Sequence, residues 1–288
     1  MTSAAFIAEH YACPTIGAIL STLTFSAPIQ SLKSCTRNGS LGALNPTPWA
    51  FMTGNCIGWL AYSYVTLDLF VFLANAPGLV ISIWLNIGAM KLQYYEEMIR
   101  YSSVQVTEVV RTRVAGTEED NNDNELESAE INEDNYAAGN EDTICLPHSP
   151  PSLTSHEWKV LQILIVWMVI LSTTNLIPSI DTAHMKFVIG VAVNMNLIFF
   201  YAAPLSSVVT ILRSKTSASI HHRTMIMMSL NAFFWCVYSL AIRDYYILLP
   251  NGIGLVLGLV QMMLCALYPI AGGDDDDTHQ NTNLTEVV

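Results

Sequence analysis

Two stretches of the chain match each other in register: NCIGWLAYSYVTLDLFVFLANAPGLV at 55–80 and NAFFWCVYSLAIRDYYILLPNGIGLV at 231–256. When position 55 is laid on position 231, Asn falls on Asn, Trp on Trp, Tyr-Ser on Tyr-Ser and Asp on Asp without a gap. Shared hydrophobicity would align Leu with Val, but it would not align Asn, Trp and Asp in one register. A duplicated unit is the economical interpretation of this match.

The same register relates proline, asparagine and aromatic residues over a longer part of each half. The coinciding pairs are Ala27-Pro28 with Ala203-Pro204, Arg37 with Arg213, Asn55 with Asn231, Trp59 with Trp235, Tyr62-Ser63 with Tyr238-Ser239, Asp68 with Asp244, and Asn75 with Asn251. Each copy is long enough to hold three membrane spans.

Uncharged windows cover most of the chain. The 288 residues are 52% hydrophobic and 12% charged, and the mean hydropathy is +0.39. A bilayer core of ~30 Å requires ~20 mostly apolar residues in a helix, and each window reaches that length or nearly reaches it. The windows lie at 11–32, 38–67, 69–90, 160–180, 187–212, 224–242 and 245–273. We therefore predict an all-α membrane protein with seven transmembrane helices, and a water-soluble enzyme is excluded.

The acidic excess lies outside these windows. The formal net charge is −12, but the carboxylates concentrate in 114–142 and in the tail after 270. These segments have the composition of solvated, disordered chain. An acidic chain lacks the basic surface that binds nucleic acid, and the scattered cysteines indicate neither a zinc site nor a disulfide framework. No cofactor and no metal is expected.

Lys and Arg residues predict the orientation. With seven spans, ten of these residues fall in loops on one side and two, Lys186 and Arg243, on the other. By the positive-inside rule the N terminus is extracellular, and the C terminus and both acidic segments are cytosolic. The first span lacks a basic segment before it and should remain in the mature protein.

A fourth span between the copies makes the two repeats parallel. Three spans in each copy would leave the second copy inverted, and one added span restores its orientation, with a substrate site expected near the midplane. We predict a 3+1+3 arrangement of two parallel three-helix bundles and an inversion linker helix. Its parts are a first repeat at 11–100, an acidic cytosolic loop at 101–157, a linker helix at 158–180, a second repeat at 185–270 and a cytosolic tail at 271–288.

Asn and Trp residues within the spans suggest the ligand. In each copy the Asn-x3-Trp-x2-Tyr spacing, as in Asn55, Trp59 and Tyr62, places three polar or aromatic residues near one helix face. Two such faces suit a flat, neutral, hydroxyl-rich ligand, because sugar C–H faces stack on indole and amides exchange hydrogen bonds with hydroxyls. The alternative is that these residues only pack helices together or mark the membrane interface.

These residues resemble the SWEET sugar transporters, a eukaryotic family built from two three-helix units and a linker helix. The resemblance covers roughly 15–100 and 185–270. The motifs that carry it are Ala27-Pro28, Pro48 to Asn55, Trp59, Tyr62 and Asn75-x-x-Gly78 in the first repeat, and Tyr201-Ala-Ala-Pro204-Leu205, Lys215-Thr216, Trp235-x-x-Tyr238, Arg243-Asp244 and Pro250-Asn251-Gly252-x-Gly254 in the second.

The resemblance implies roles for single residues. It assigns the sugar pocket to Asn75, Asn251, Trp59, Trp235, Asn55 and Asn231. It assigns helix hinges to Pro28, Pro48 and Pro204, whereas a proline at a span edge can also simply begin a helix. It assigns the extracellular gate to Tyr62, Tyr238 and Asp244.

Three features of the sequence depart from the family pattern. His221 stands where the family has its fourth hinge proline, so the sixth span is expected to bend differently. The loop of 101–157 is longer than usual. The chain has no Lys or Arg between Arg37 and Lys91, so the usual basic partner of Asp244 is expected to be missing, with an Arg243 to Asp68 pair as a substitute.

The sequence thus predicts a facilitative, bidirectional sugar uniporter for a mono- or disaccharide that works by alternating access. The expected partners are the sugar, the lipid bilayer and, from the resemblance, further copies of the chain. The plasma membrane is the expected site, with an internal membrane such as the vacuole as the alternative. A seven-helix receptor and a carrier of another small solute, such as amino acids, are the other hypotheses.

Overall fold

The computed structural model describes residues 3–120, 153–176, 181–217 and 222–269, and these ranges fold into helices joined by short turns. The first helices are α1 (Ser3–Ile7), a short π-helical turn (Ala8–Ala12), α2 (Cys13–Ser26) and α3 (Pro28–Asn38). The helices that follow are α4 (Thr47–Thr66), α5 (Leu69–Asp120), α6 (Ser155–Leu176), α7 (Thr182–Ser214), α8 (His222–Ile242) and α9 (Tyr245–Leu267).

Five helical stretches in the described ranges are long and apolar enough to cross a membrane. They are Ser3–Asn38, Leu69–Val104, Ser155–Leu176, Arg223–Ile242 and Tyr245–Leu267. The other two predicted windows hold α4 and α7. The all-helical membrane fold is therefore confirmed, and the count of seven spans stays a prediction.

The helical hydrogen bonding of the first span changes at Ala27, directly before Pro28. Proline has no N–H, so the carbonyl of Thr24, one turn earlier, loses its helical partner. The Ala27 N–H takes that place and donates to the Thr24 carbonyl at 3.2 Å. The chain continues as α3 with Pro28 in its first turn, and Ala27 itself keeps helical φ and ψ values of −54° and −41°. The first span therefore continues through this point, and the hinge role of Pro28 stays a prediction.

The two repeats share one arrangement of helices. In the first repeat, α5 packs against both α2 and α4, and in the second repeat, α9 packs against both α7 and α8. Contacts between the repeats are also paired, since α4 packs on α7 and α2 packs on α8. This pairing places the second helix of each repeat beside the first helix of the other, as parallel repeats require.

The linker helix α6 docks on the first repeat. A Cβ atom added at Gly54 of α4 would lie 2.7 Å from Ile163 and 2.9 Å from the Trp167 indole of α6, and Gly58, one turn later, is closer still to the Trp167 ring. These glycines allow the two helices to approach closely. At the equivalent positions of the second repeat stand the bulky Leu230 and Phe234.

A buried polar cluster at the N-terminal end of α6 adds to this packing. The imidazole Nε2 of His156 lies 2.8 Å from Asn86 Oδ1 on α5. The Asn86 amide donates to Thr53 Oγ1 at 2.8 Å and to the Trp49 carbonyl at 3.2 Å. The cluster therefore connects α6, α5 and α4.

Two helix boundaries differ from those predicted from the sequence. Helix α5 continues to Asp120, so the 101–120 part of the expected loop is helical. The sequence contains neither Gly nor Pro between Gly88 and Gly116 to end this helix. Helix α6 begins at Ser155, slightly before the expected boundary. Residues 121–152, which include most of the predicted acidic loop, and the tail from 270 lie outside the described ranges.

Candidate functional site

A cavity of about 580 Å³ lies between the two repeats. Its wall includes all six residues expected from the sequence to bind substrate, which are Asn55, Trp59, Asn75, Asn231, Trp235 and Asn251. Three of them come from each repeat and from corresponding helices. The duplicated sequence positions therefore meet in one place.

The aromatic and amide side chains of this wall are largely buried. Trp59 and Trp235 are 7% and 5% exposed, and Asn55 and Asn75 are 6% and 8% exposed. The Nδ2 atoms of Asn75 and Asn251 donate to carbonyls one turn earlier, at 2.9 Å to Val71 and at 2.8 Å to Ile247. The matching bonds hold the two amides in the same way in both repeats.

Ser21 of α2 contacts two of these residues across the repeat boundary. Its hydroxyl donates to Asn231 Oδ1 at 3.0 Å and accepts from the Trp235 indole Nε1 at 3.2 Å. The comparison of the two copies misses Ser21, because the equivalent position of the second copy is Leu197. The composition of α2 does not single it out either, because Thr15, Thr22, Thr24 and Ser26 are small hydroxyl residues of the same helix.

Two tyrosine–aspartate pairs lie beside the tryptophans of the cavity wall, because the Tyr62 ring packs edge-on against Trp59 and the Tyr238 ring packs edge-on against Trp235. The Tyr62 hydroxyl donates to Asp244 at 2.8 and 2.7 Å, and the Tyr238 hydroxyl donates to Asp68 at 2.9 Å. Each pair joins the second helix of one repeat to the start of the third helix of the other. These four residues are named the Tyr–Asp layer.

Backbone geometry places both carboxylates of the layer. Leu67 and Arg243, which precede them, adopt left-handed φ values of 54° and 57° and end α4 and α8. Asp68 then accepts from the Phe70 and Val71 N–H groups at 3.0 and 3.1 Å, and Asp244 accepts from the Tyr246 and Ile247 N–H groups at 3.0 and 3.3 Å. Each aspartate thus caps the helix that follows it, and each sharp turn directs the carboxylate toward the other repeat.

Lys186 of α7 is the basic partner of Asp244, and this corrects the expectation that such a partner is missing. Its Nζ lies 2.7 Å from Asp244 Oδ2. The ammonium also lies 5.7 Å from the centre of the Tyr62 ring and 5.9 Å from that of Tyr246. The expectation was wrong because it considered only the segment between Arg37 and Lys91, whereas the cation comes from the first helix of the second repeat.

The expected substitute pair does not form either. Among the described residues, no ion pair joins Arg243 to Asp68. The Asp68 carboxylate instead has the Tyr238 hydroxyl and two backbone N–H groups as partners.

The predicted hinge residues lie in different settings. Pro28 and Pro48 both line the cavity, and Pro48 stands in the first turn of α4, where a proline leaves the helix intact. Pro204 lies within the bounds of α7. His221 falls outside the described residues.

The cavity wall is neutral. The described residues that line it are apolar, aromatic, hydroxyl or amide side chains and glycines, without Asp, Glu, Lys, Arg or His among them. Such a wall can stack against a ring and exchange hydrogen bonds with hydroxyl groups, but it offers no side-chain charge to a charged ligand.

Comparisons with known proteins agree with this architecture. A family model described as "Sugar efflux transporter for intercellular exchange" matches residues 14–94 and 187–271. The chain is 35% identical over 82 residues to the bidirectional sugar transporter SWEET16 of Oryza sativa subsp. japonica, an alignment that covers 28% of this chain and 25% of the relative. It is 35% identical over 79 residues to the bidirectional sugar transporter SWEET14 of Arabidopsis thaliana, with 27% of this chain and 28% of the relative covered.

A solved structure extends the comparison to the whole fold. The chain superposes on a eukaryotic SWEET transporter with a TM-score of 0.63 and 19% identity, over 92% of this chain and 99% of that chain. The sequence matches, in contrast, span about a quarter of the length of the two curated relatives. Since the family model covers more than half of the chain, the chain belongs to the SWEET family of membrane proteins.

Proposed function

We propose that the protein is a facilitative, bidirectional sugar carrier that works by alternating access. The observation that carries the proposal is the convergence of six duplicated Asn and Trp side chains on one neutral cavity between the repeats. The names of the curated relatives, which are bidirectional sugar transporters, support the same activity.

The neutral wall suits a sugar in particular. Two indole faces, from Trp59 and Trp235, can contact the C–H surface of a sugar ring, while the Asn amides both donate to and accept from its hydroxyls. An amino acid would bring a carboxylate and an ammonium into a buried site, where unpaired charges are costly. A seven-helix receptor has no need of the internal duplication.

The conformation described is closed at one end and extends toward the other. The Tyr–Asp layer seals the end where α4 meets α5 and α8 meets α9. From the Trp pair, the cavity wall continues to Pro28, Pro48 and Thr224 near the opposite end. We infer that the sugar enters from that opposite side in this state, and that breaking the two tyrosine–aspartate bonds opens the other side.

The orientation follows from the basic residues. The loops at the Pro48 end carry most Lys and Arg, so this end faces the cytosol and the Tyr–Asp layer faces outward. The conformation is then an inward-facing state, with Tyr62, Tyr238 and Asp244 as the extracellular gate and Pro28, Pro48, Pro204 and His221 at the joints. We place the protein in the plasma membrane, with homo-oligomers as its assembly.

Transport by the purified chain tests the proposal. Proteoliposomes that contain only this protein should take up radiolabelled glucose or sucrose saturably and release preloaded sugar when the gradient is reversed. The double variant Trp59→Ala/Trp235→Ala is the matched control and should lose the flux. Sugar flux equal to that of empty liposomes, together with uptake of a labelled amino acid, would contradict the proposal.

A further inference from the structure

The two faces of the cavity are not equivalent at one position. Ser21 of α2 and Leu197 of α7 occupy equivalent positions of the two copies, and both line the cavity. One face therefore carries a hydroxyl where the other carries an aliphatic side chain. The neighbouring Asn and Trp residues differ in their hydrogen bonds as a result.

On the second-repeat face, Ser21 fixes two pocket residues at once. A hydroxyl can donate one bond and accept another, and Ser21 does both: it donates to Asn231 Oδ1 at 3.0 Å and accepts from Trp235 Nε1 at 3.2 Å. Ser21 is 8% exposed. With one lone pair of its Oδ1 engaged, Asn231 offers a ligand chiefly its Nδ2 hydrogens.

Gly17 is the second residue of α2 that lies against the Trp235 indole. It lies one turn before Ser21 on the same face of α2, and a Cβ atom there would stand 2.9 Å from Trp235 Nε1 and 3.0 Å from Cε2. The Trp235 ring thus lies against bare backbone at Gly17 while its N–H bonds Ser21. Steric contact and hydrogen bond together hold one orientation of the ring.

On the first-repeat face, the corresponding amide has no such partner. Asn55 Oδ1 is buried and makes no hydrogen bond within the described part of the chain, and Asn55 belongs to the cavity wall. Buried polar atoms in proteins are nearly always hydrogen-bonded. Because this oxygen is shielded from solvent here, a turn of the Asn55 side chain would present the unpaired acceptor to a donor from a ligand.

We propose that Ser21 is a positioning residue of the transport site, which orients Asn231 and Trp235 and makes the second repeat the donor face of the cavity, while Asn55 Oδ1 is the open acceptor of the first repeat. The inference rests on the proposed sugar transport and specifies which groups of the site bind the substrate. A sugar bound there donates one hydroxyl to Asn55 Oδ1 and accepts at another oxygen from Asn231 Nδ2. The ligand is consequently held in one orientation despite the symmetry of the fold.

Substitutions at Ser21 separate positioning from folding. In proteoliposomes with glucose and sucrose as probes, Ser21→Ala should raise KM by roughly three- to tenfold, as expected for the loss of oriented neutral hydrogen bonds. The maximal rate should stay within about twofold, because such an interaction affects binding of the ligand. Ser21→Thr keeps the hydroxyl and should restore most of the affinity.

Substitutions at Leu197 test the open acceptor on the other face. Leu197→Ser places a hydroxyl at the position equivalent to Ser21, so it should occupy Asn55 Oδ1 and raise KM by a similar factor. Leu197→Ala is the matched control, since it shortens the side chain without adding a hydroxyl, and it should change KM less than Leu197→Ser does. This comparison decides the proposal if Ser21→Ala fails to fold.

The outcomes are distinguishable. If the unmodified chain moves neither sugar, the proposed function is overturned and this inference with it. If it moves sugar and Ser21→Ala leaves KM unchanged, or Ser21→Thr is as impaired as Ser21→Ala, the inference alone is overturned. Equal KM values for Leu197→Ser and Leu197→Ala would likewise overturn the assignment of Asn55 Oδ1 as acceptor.

Discussion

The Tyr62 hydroxyl donates to both carboxylate oxygens of Asp244, at 2.8 and 2.7 Å, and thereby joins α4 of the first repeat to the start of α9 in the second. Tyr238 and Asp68 repeat this relationship in the opposite sense, at 2.9 Å. Two crossed tyrosine–aspartate pairs therefore join the repeats in the Tyr–Asp layer. Lys186 adds a third contact to Asp244, but it belongs to the same repeat as that carboxylate.

Removal of the Lys186 charge should weaken the folded protein. Asp244 is 5% exposed and the Lys186 side chain 35%, so the loss for Lys186→Gln should fall between the ~1 kcal/mol of a surface pair and the ~3–5 kcal/mol of a buried one. Thermal unfolding in detergent measures it. Lys186→Arg keeps the charge and should unfold near the parental temperature, and an equal temperature for Lys186→Gln would show that the ion pair contributes nothing.

Loss of single pocket amides should reduce transport without loss of the protein. Replacing Asn75 or Asn251 by Ala removes hydrogen bonds in a buried site, each of which is worth about 1–3 kcal/mol. That corresponds to a decrease of roughly 5- to 150-fold in transport efficiency. Initial uptake rates per amount of reconstituted protein check the prediction, and parental rates for both variants would place the pocket elsewhere.

Transport should not be coupled to protons or to the membrane potential. A proton-coupled carrier needs a titratable group in its substrate pathway, and the described cavity wall contains none. The carboxylates of the Tyr–Asp layer lie beyond that wall and are held by tyrosine hydroxyls and, at Asp244, by Lys186. His156 is buried but bonds Asn86 in the α4–α5–α6 cluster, outside that wall. Vesicles loaded with equal sugar on both sides and then given a pH gradient or a potential should show no net movement, whereas sustained accumulation on one side would demonstrate coupling.

The sequons at Asn38 and Asn283 should remain unglycosylated in cells. Both match the Asn-x-Ser/Thr pattern, but the distribution of Lys and Arg predicts that both lie in the cytosol. Treatment with a glycosidase should leave the mobility of the protein on a gel unchanged. A glycan on Asn283 would put the C terminus outside and reverse the assigned orientation.

Gly58→Ala should destabilise the protein more than Gly252→Ala. The added methyl group at Gly58 meets the Trp167 ring of α6 and the Val193 side chain of α7, while no other atom lies within 4 Å of a Cβ atom at Gly252. Overpacking of this kind costs about 1–3 kcal/mol, and both glycines lie within helices, so helix propensity affects the two variants alike. A comparison of their unfolding temperatures cancels that common effect, and equal temperatures would mean that α6 adapts without cost.

The duplication predicted much of the site because it repeats residues whose chemistry is unusual in a membrane span. Asn55 and Asn231 or Trp59 and Trp235 are recognisable in pairs, and the structure brings both pairs to one cavity. Ser21 and Lys186 could not be found in this way, since their counterparts in the other copy are Leu197 and His10.

The length of α5 was missed for a different physical reason. Hydropathy marks where a helix leaves the membrane, but it does not mark where the helix ends. Beyond Lys91 the residues are polar enough to lie in water, and the backbone continues in helical form to Asp120. Composition alone assigned 101–120 to a loop because this stretch leads directly into the acidic residues that follow Gly116.

The contact of Gly54 and Gly58 with Trp167 has a mechanical consequence. Since Leu230 and Phe234 fill the corresponding surface of the second repeat, α6 has a complementary seat on one repeat only, and the His156 cluster fastens it there. For any rigid-body rotation, α6 then moves together with the first repeat. Although the duplicated halves are alike in sequence, we expect their angular displacements to be unequal, with the second repeat turning further relative to the bilayer.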